Sequence, residues 1–359
     1  MINSAKLILE DGSVIAGKSF GYKNSCAGEV VFNTAMTGYP ESLTDPSYFG
    51  QILTLTYPLI GNYGVPNEQY IDGLPVSFES DSVQIKGLII SDYSFNFNHW
   101  NAAKSLGDWL KDNEIPALFD IDTRALTKIL RSKGCMLGKI IIEDNELEFL
   151  DPNKDNIVSI VSVKEKRVYG NGDLRILLVD CGVKTNIIRY LLKFDTTVIR
   201  VPWDYDFQSE EFDGLFITNG PGDPEQCKIT VENIKISLKN DKPIFGICLG
   251  NQLLALAAGA KTYKLKYGHR SHNQPVLQAN TNRAFITSQN HGFAVDTSSL
   301  EPEWEPYFIN LNDGSNEGIK HKSKPFFSAQ FHPEASGGPT DTEFLFEQFI
   351  DLVRQWKNK

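Results

Sequence analysis

The sequence predicts an α/β protein in two parts, a β-rich N-terminal domain over residues 1–150 followed by a mainly parallel α/β domain over residues 172–359. Three observations point there. The chain has 359 residues, more than the roughly 100–200 that one compact core usually organises. Its first part alternates apolar and polar residues between turn clusters, the period of half-buried strands. Its second part alternates short apolar runs with helical patterns, as strand–helix–strand units do.

In order along the chain, "AKLILEDGSVIAGKSFG" reads as a β-hairpin about the Asp11-Gly12 turn, and "VQIKGLIISDYS" as a buried strand. "NAAKSLGDWLKDN" and "TRALTKILRSKG" carry helical spacing, the second with Asp122 to cap its start and Gly134 to end it. The polar stretch from Glu148 to Asp173, closing on Gly-Asn-Gly-Asp, reads as a linker. Beyond it "LRILLVDCG", "TTVIRVPW", "DGLFITNGPG", "KPIFGICLG" and "AFITSQNHG" are strands, with "KTNIIRYLLKF" and "TVENIKISLKN" as helices between them. In open sheets of this kind ligands bind beyond the carboxyl ends of the strands.

Charge and cysteine content exclude several functions. A net charge of −10 without a basic run argues against nucleic acid and anionic membranes as partners. No apolar stretch is long enough to span a bilayer and Met1–Glu10 lacks the pattern of a signal peptide, so a cytoplasmic location is expected. Cys26, Cys135, Cys181, Cys227 and Cys248 form no C-x-x-C pair, so neither a disulfide framework nor a metal site is expected. A cysteine with a special role should act as a reactive thiol.

Cys248 fits that role. "GICLG" joins a strand to a helix, and the glycines two residues either side of Cys248 suit a tight nucleophile elbow. A helix N-terminus also favours thiolate. A lone cysteine after an apolar run is ordinarily a core residue. The paired glycines overturn that preference here, whereas Cys181 has glycine on one side only and reads as structural. Of six histidines, His332 in "FHPEAS" ends an aromatic strand with Glu334 two residues on, where an extended backbone would place both on one side. These supply a base and the carboxylate that orients it. "NGPGDP" ends another strand in a glycine turn without the Gly-Lys-Ser/Thr of a phosphate loop. The Gly222 N–H, with that of Leu249, suits an oxyanion hole.

"NGPGDP", "GICLGNQ" and "FHPEAS", in this order, resemble the class I (triad) glutamine amidotransferases over Leu174–Lys359. The resemblance implies attack of Cys248 on the side-chain amide of L-glutamine, with Gly220, Gly222, Leu249 and Gln252 lining the pocket. "GEVVFNTAMTGYPESLTDPSYFGQILTLTYPLIGNYG" and "DIDTRALTKILRSKG" are similar to the N-terminal domain of the carbamoyl-phosphate synthase small chains. That likeness adds Asn290, Gly292 and Phe293 of "SQNHGFAVD", and Ser47 of "DPSY" from the first domain, as glutamine contacts. It further implies a large-subunit partner holding ATP and magnesium, with no cofactor in this chain. Two departures are visible: Asn251 stands where relatives commonly have histidine, and "GHRSHNQPV" replaces a "GHHGGNHP"-like loop. The alternatives are a catalytically silent glutamine-binding scaffold and the glutaminase of another synthetase.

Overall fold

The computed structural model describes residues 3–143 and 147–359, and it divides into two compact units, 1–154 and 155–359. In the first unit seven strands close into a barrel. Around it run Asn3–Leu9, Met136–Ile142, Cys26–Asn33, Gln51–Leu55, Gly87–Ile89, Ala117–Phe119 and Val14–Ser19, which returns to the first. The Asp11-Gly12 hairpin forms as its sequence directs, pairing Ile8 with Val14 and Gly12 at φ +86°. Closure leaves no unpaired sheet edge, and Leu7, Leu9, Val30, Ile52, Leu88 and Ile140 are wholly buried.

Helix Thr123–Lys133 begins and ends where its caps lie: Asp122 Oδ1 accepts from the Ala125 N–H at 2.8 Å, and Gly134 follows at φ +109°. The other predicted helix is shorter than its pattern. Ala102–Lys104 pairs as a strand with Val65–Pro66, and the helix starts at Leu106, where the Ser105 side chain accepts from the Asp108 N–H. A serine that can cap competes with continuing the helix through it.

The second unit is built on a sheet of ten strands. Its parallel part runs Thr196–Pro202, Leu174–Asp180, Gly214–Ile217, Ile244–Ile247, Phe326–Ala329. Asn316–His321, Trp304–Asn310, Thr262–Gln278 and Ala284–Val295 extend it in antiparallel fashion. Alternation along the central strands sorts side chains to two faces. Phe216 and Phe245 pack against Phe346 and Phe349 of the helix Phe344–Lys357, partly edge to face, while Leu215, Ile217 and Ile244 join Leu249, Leu253 and Leu254 on the other face. Burying each such side chain stabilises the fold by about 1.5–3 kcal/mol.

The polar stretch read as a linker is partly ordered sheet. Val158–Val161 is a short helix, and Arg167–Tyr169 pairs with Val198–Arg200 as the outermost strand. An edge strand with exposed Arg167 and Val168 needs no apolar alternation, so its sequence carries no strand signal.

Candidate active site

Four loops at the carboxyl ends of the parallel strands bring together the residues singled out in the sequence. After Ile244–Ile247 the chain turns at Cys248 and enters the helix Leu249–Ala257 directly. Cys248 has φ +55° and ψ −103°, a conformation costly for any residue with a Cβ, of order 1–3 kcal/mol. Its glycine neighbours are demanded by distance. A Cβ on Gly246 would stand 2.5 Å from the Gly250 carbonyl oxygen, and one on Gly250 2.2 Å from that of Ile217. The Cys248 N–H donates to Ala329 at 2.8 Å, which ties the turn to the strand leading to His332.

His332 and Glu334 meet as the sequence suggests, through a different backbone. The segment does not stay extended through Pro333; it turns, with the Ala335 N–H donating to the His332 carbonyl at 3.2 Å. Proline disfavours nothing in such a turn, and the turn itself swings the carboxylate back to the ring. His332 Nδ1 lies 2.7 Å from Glu334 Oε1, and both side chains are buried. The His332 N–H bonds Ser288 at 2.9 Å, so the imidazole is fixed between two strands.

A third charge completes this pair. Lys184 Nζ reaches Glu334 Oε1 at 3.0 Å, from a turn held by Asp180 Oδ1, which accepts from the Gly182 and Val183 N–H groups at 2.9 and 2.8 Å. Burial alone would raise the Glu334 pKa, yet Lys184 and then His332 lower it to about 2. Burial likewise works to lower His332, but the Glu334 carboxylate outweighs burial and Lys184, and with help from Cys248 raises it to about 10. Carboxylate and imidazolium therefore coexist at neutral pH. The Cys248 thiol lies 3.5 Å from the Asn290 carbonyl oxygen and also reaches the His332 imidazole.

The glycine turn after Gly214–Ile217 packs against the turn that carries Lys184. A Cβ on Gly220 would lie 2.0 Å from the Cys181 carbonyl oxygen, and Gly222 has φ +83°. Leu249 opens its helix, so its N–H belongs to the first turn, where helices leave donors free. Gln252 Nε2 donates to the Phe293 carbonyl at 2.9 Å, linking the helix after Cys248 to the strand that bears Asn290 and Gly292. Ser47 lies in the first unit, in the helical turn Pro46–Tyr48, its N–H bonded to Asp45. Cys181 is fully buried, and burial pushes its thiol well above the usual range, as a structural cysteine's should be.

Asn251 is absorbed into an amide network. It accepts from Ser328 Oγ at 2.8 Å and donates to Gln330 Oε1 at 2.8 Å, and Gln252 donates to the same oxygen at 3.1 Å. Sequence reasoning missed Lys184 and Gln330, neither of which stands in a recognisable motif; the strand-ending "VDCG" two residues before Lys184 was the available signal. It also passed over His269, His291 and Glu317, which gather in the antiparallel part of the sheet with ligand-type atoms within 4.8 Å of one another.

Comparison with known proteins matches this division. The family model "Glutamine amidotransferase class-I" covers residues 177–352, and "Carbamoyl-phosphate synthase small chain, CPSase domain" covers residues 7–140. Across 99% of its length the chain is 53% identical to the mitochondrial "Carbamoyl-phosphate synthase [ammonia]" of Aquarana catesbeiana, of which it spans 24%. It is 54% identical over 98% of its length to the "Multifunctional protein CAD" of Squalus acanthias, spanning 16%, and 50% identical over 97% to "Multifunctional protein pyr-3" of Neurospora crassa, spanning 21%. The chain thus spans a quarter or less of these relatives. With a small-chain domain followed by a class I amidotransferase domain, and about 50% identity along the whole of its length, the chain belongs to the carbamoyl-phosphate synthase small-chain family.

Proposed function

We propose that the chain hydrolyses L-glutamine at Cys248 and supplies the ammonia to a carbamoyl-phosphate-forming partner. The observation that carries this reading is the strained Cys248 elbow set in the same cluster of loops as the buried His332–Glu334 pair. In the reaction, His332, already protonated beside Glu334, carries the proton given up by the Cys248 thiol, and sulfur attacks the amide carbon, its C=O electrons moving to oxygen. The N–H groups of Gly222 and Leu249 stabilise that oxyanion. Collapse expels ammonia, which takes its proton from His332, and leaves a γ-glutamyl thioester. Water then attacks the thioester, with His332 as base, releasing glutamate and the thiol. Gly220, Gln252, Asn290, Gly292, Phe293 and Ser47 are assigned to holding the glutamine.

The relatives' names connect this chemistry to carbamoyl phosphate, and their greater length leaves room for the ATP- and magnesium-using synthetase. Here that part is assigned to a separate large subunit in the cytoplasm, serving pyrimidine or arginine synthesis.

The test compares wild type and Cys248→Ser with the large subunit present. The variant is expected to lose glutamine-dependent carbamoyl phosphate synthesis while free ammonia still supports it. A wild-type chain that neither hydrolyses glutamine nor is labelled at Cys248 by a glutamine-mimicking electrophile would instead be a silent scaffold.

A further inference from the structure

Among the described residues, ligand-type side chains also converge in the antiparallel part of the sheet. His269 on Thr262–Gln278, His291 on Ala284–Val295 and Glu317 on Asn316–His321 are all buried. His291 Nδ1 lies 2.8 Å from the Phe293 carbonyl oxygen. A carbonyl only accepts, so Nδ1 carries the hydrogen and Nε2 presents a lone pair. That lone pair faces Gln289 Oε1 at 3.2 Å and Glu317 Oε1 at 3.9 Å. The Gln289 amide nitrogen is already engaged with Thr287 Oγ1 at 3.1 Å.

His269 has a carboxylate facing each ring nitrogen, and Asn310 Nδ2 also lies 3.4 Å from Nδ1. Nε2 faces Asp313 Oδ2 at 2.9 Å and Nδ1 faces Glu317 Oε1 at 3.2 Å. Asn310 Nδ2 donates to Glu317 Oε1 at 2.9 Å, while Glu317 Oε2 is buried and has no hydrogen-bond partner. A fully buried carboxylate oxygen without a donor is costly unless a cation meets it.

We propose that His269 Nδ1, His291 Nε2 and the Glu317 carboxylate bind a divalent transition metal of the zinc type. Two imidazole nitrogens and one carboxylate oxygen suit zinc over magnesium or calcium, which take all-oxygen shells. Bonds of about 2.0–2.1 Å in a tetrahedral shell place ligand atoms roughly 3.3 Å apart. The observed separations from Glu317 Oε1, 3.2 and 3.9 Å, need little adjustment. Outer partners are in place as well: Asp313 would hold the Nε2 hydrogen of His269, and the Phe293 carbonyl holds that of His291. Arg270 is the opposing cation nearby, against the two carboxylates of Glu317 and Asp313. This departs from the expectation, from cysteine spacing, of no metal in the chain.

His291 lies between Asn290 and Gly292, so a metal would brace the strand assigned to the glutamine pocket. That consequence rests on the proposed function; metal binding itself does not.

The experiment strips the purified 359-residue chain with a chelator and titrates zinc by calorimetry with free glutamine absent. X-ray absorption on the zinc-loaded wild type reports the ligands directly. One equivalent bound, with two imidazoles in the shell, is the expected result. Glu317→Gln should weaken binding by at least about 100-fold, and Asp313→Asn by about 10–100-fold. The proposal is overturned if the folded wild type takes up no stoichiometric zinc, or if the shell lacks two imidazoles. Unchanged affinity in a folded Glu317→Gln would also overturn it. A proton on His269 and a turned Gln289 amide would then close the network. If the variants do not fold, the wild-type stoichiometry and absorption spectrum still decide. Electrophile labelling of Cys248 is read separately, so failure of the metal site and failure of the glutaminase reading are distinguishable.

Discussion

Glu334 carries two tasks at once: it holds the His332 ring through a 2.7 Å contact and, ion-paired to Lys184, sets the protonation state of the site. His332 is raised from an ordinary 6.5 to about 10, so its contribution to stability is full below pH 6.5 and is lost as pH rises through 10. Glu334 is lowered from 4.5 to about 2, so its contribution is present above pH 4.5 and is lost as pH falls through 2. In Glu334→Gln the largest raising influence on His332 is lost, leaving burial and Lys184 to lower it and Cys248 to raise it. Its pKa should fall from about 10, as NMR titration would show, and glutamine hydrolysis should drop by about 10²–10⁴-fold. A His332 pKa unchanged in that variant would refute the assignment. The positive φ of Cys248 yields a second test: Cys248→Gly should be more stable than Cys248→Ala by about 1 kcal/mol in urea unfolding, though both are inactive. Cys248, His332 and Glu334 were legible because each stands in a tight local pattern. Lys184 was not, because a lysine declares its partner only when distant loops meet.

At the scale of elements, the strand–turn–helix around Cys248 depends on close backbone approach. Gly250→Ala places a Cβ 2.2 Å from the Ile217 carbonyl oxygen, backbone that cannot swing aside. Destabilisation of about 2–3 kcal/mol or more is expected from overpacking, measured by chemical denaturation. Gly314 is the contrast: nothing lies within 4 Å of its Cβ position, and only its φ of +75° resists substitution. Gly314→Ala should cost about 1 kcal/mol. Equal costs at the two positions would show that the approach at Gly250 relaxes freely. Caps at Asp122 and Gly134 were readable because they act within one turn of chain. The edge strand Arg167–Tyr169 was hidden, since its pairing with Val198–Arg200 lies in backbone hydrogen bonds that any sequence can make.

For the molecule as a whole, each unit has a core of its own: in the first, strand residues Val31, Leu53 and Leu88 pack with the helical Leu43, Trp109 and Leu110, and in the second a core lies on one face of the ten-stranded sheet. Residues 155–359 contain Cys248, His332, Glu334 and Lys184 together. Made alone, that segment should unfold cooperatively and retain the raised His332 pKa; a molten fragment would show that its core is insufficient. By itself the sequence determined the two-part α/β organisation, the elbow with its glycines and the His332–Glu334 pair, because turns, caps and hydrophobic periods act over a few residues. Only the tertiary structure decided the closed barrel, the Lys184 ion pair, the Gln330 amide network and the gathering of His269, His291 and Glu317. Those arise where side chains far apart along the chain become neighbours, and burial in a low-dielectric interior gives their charges and unpaired lone pairs their strength.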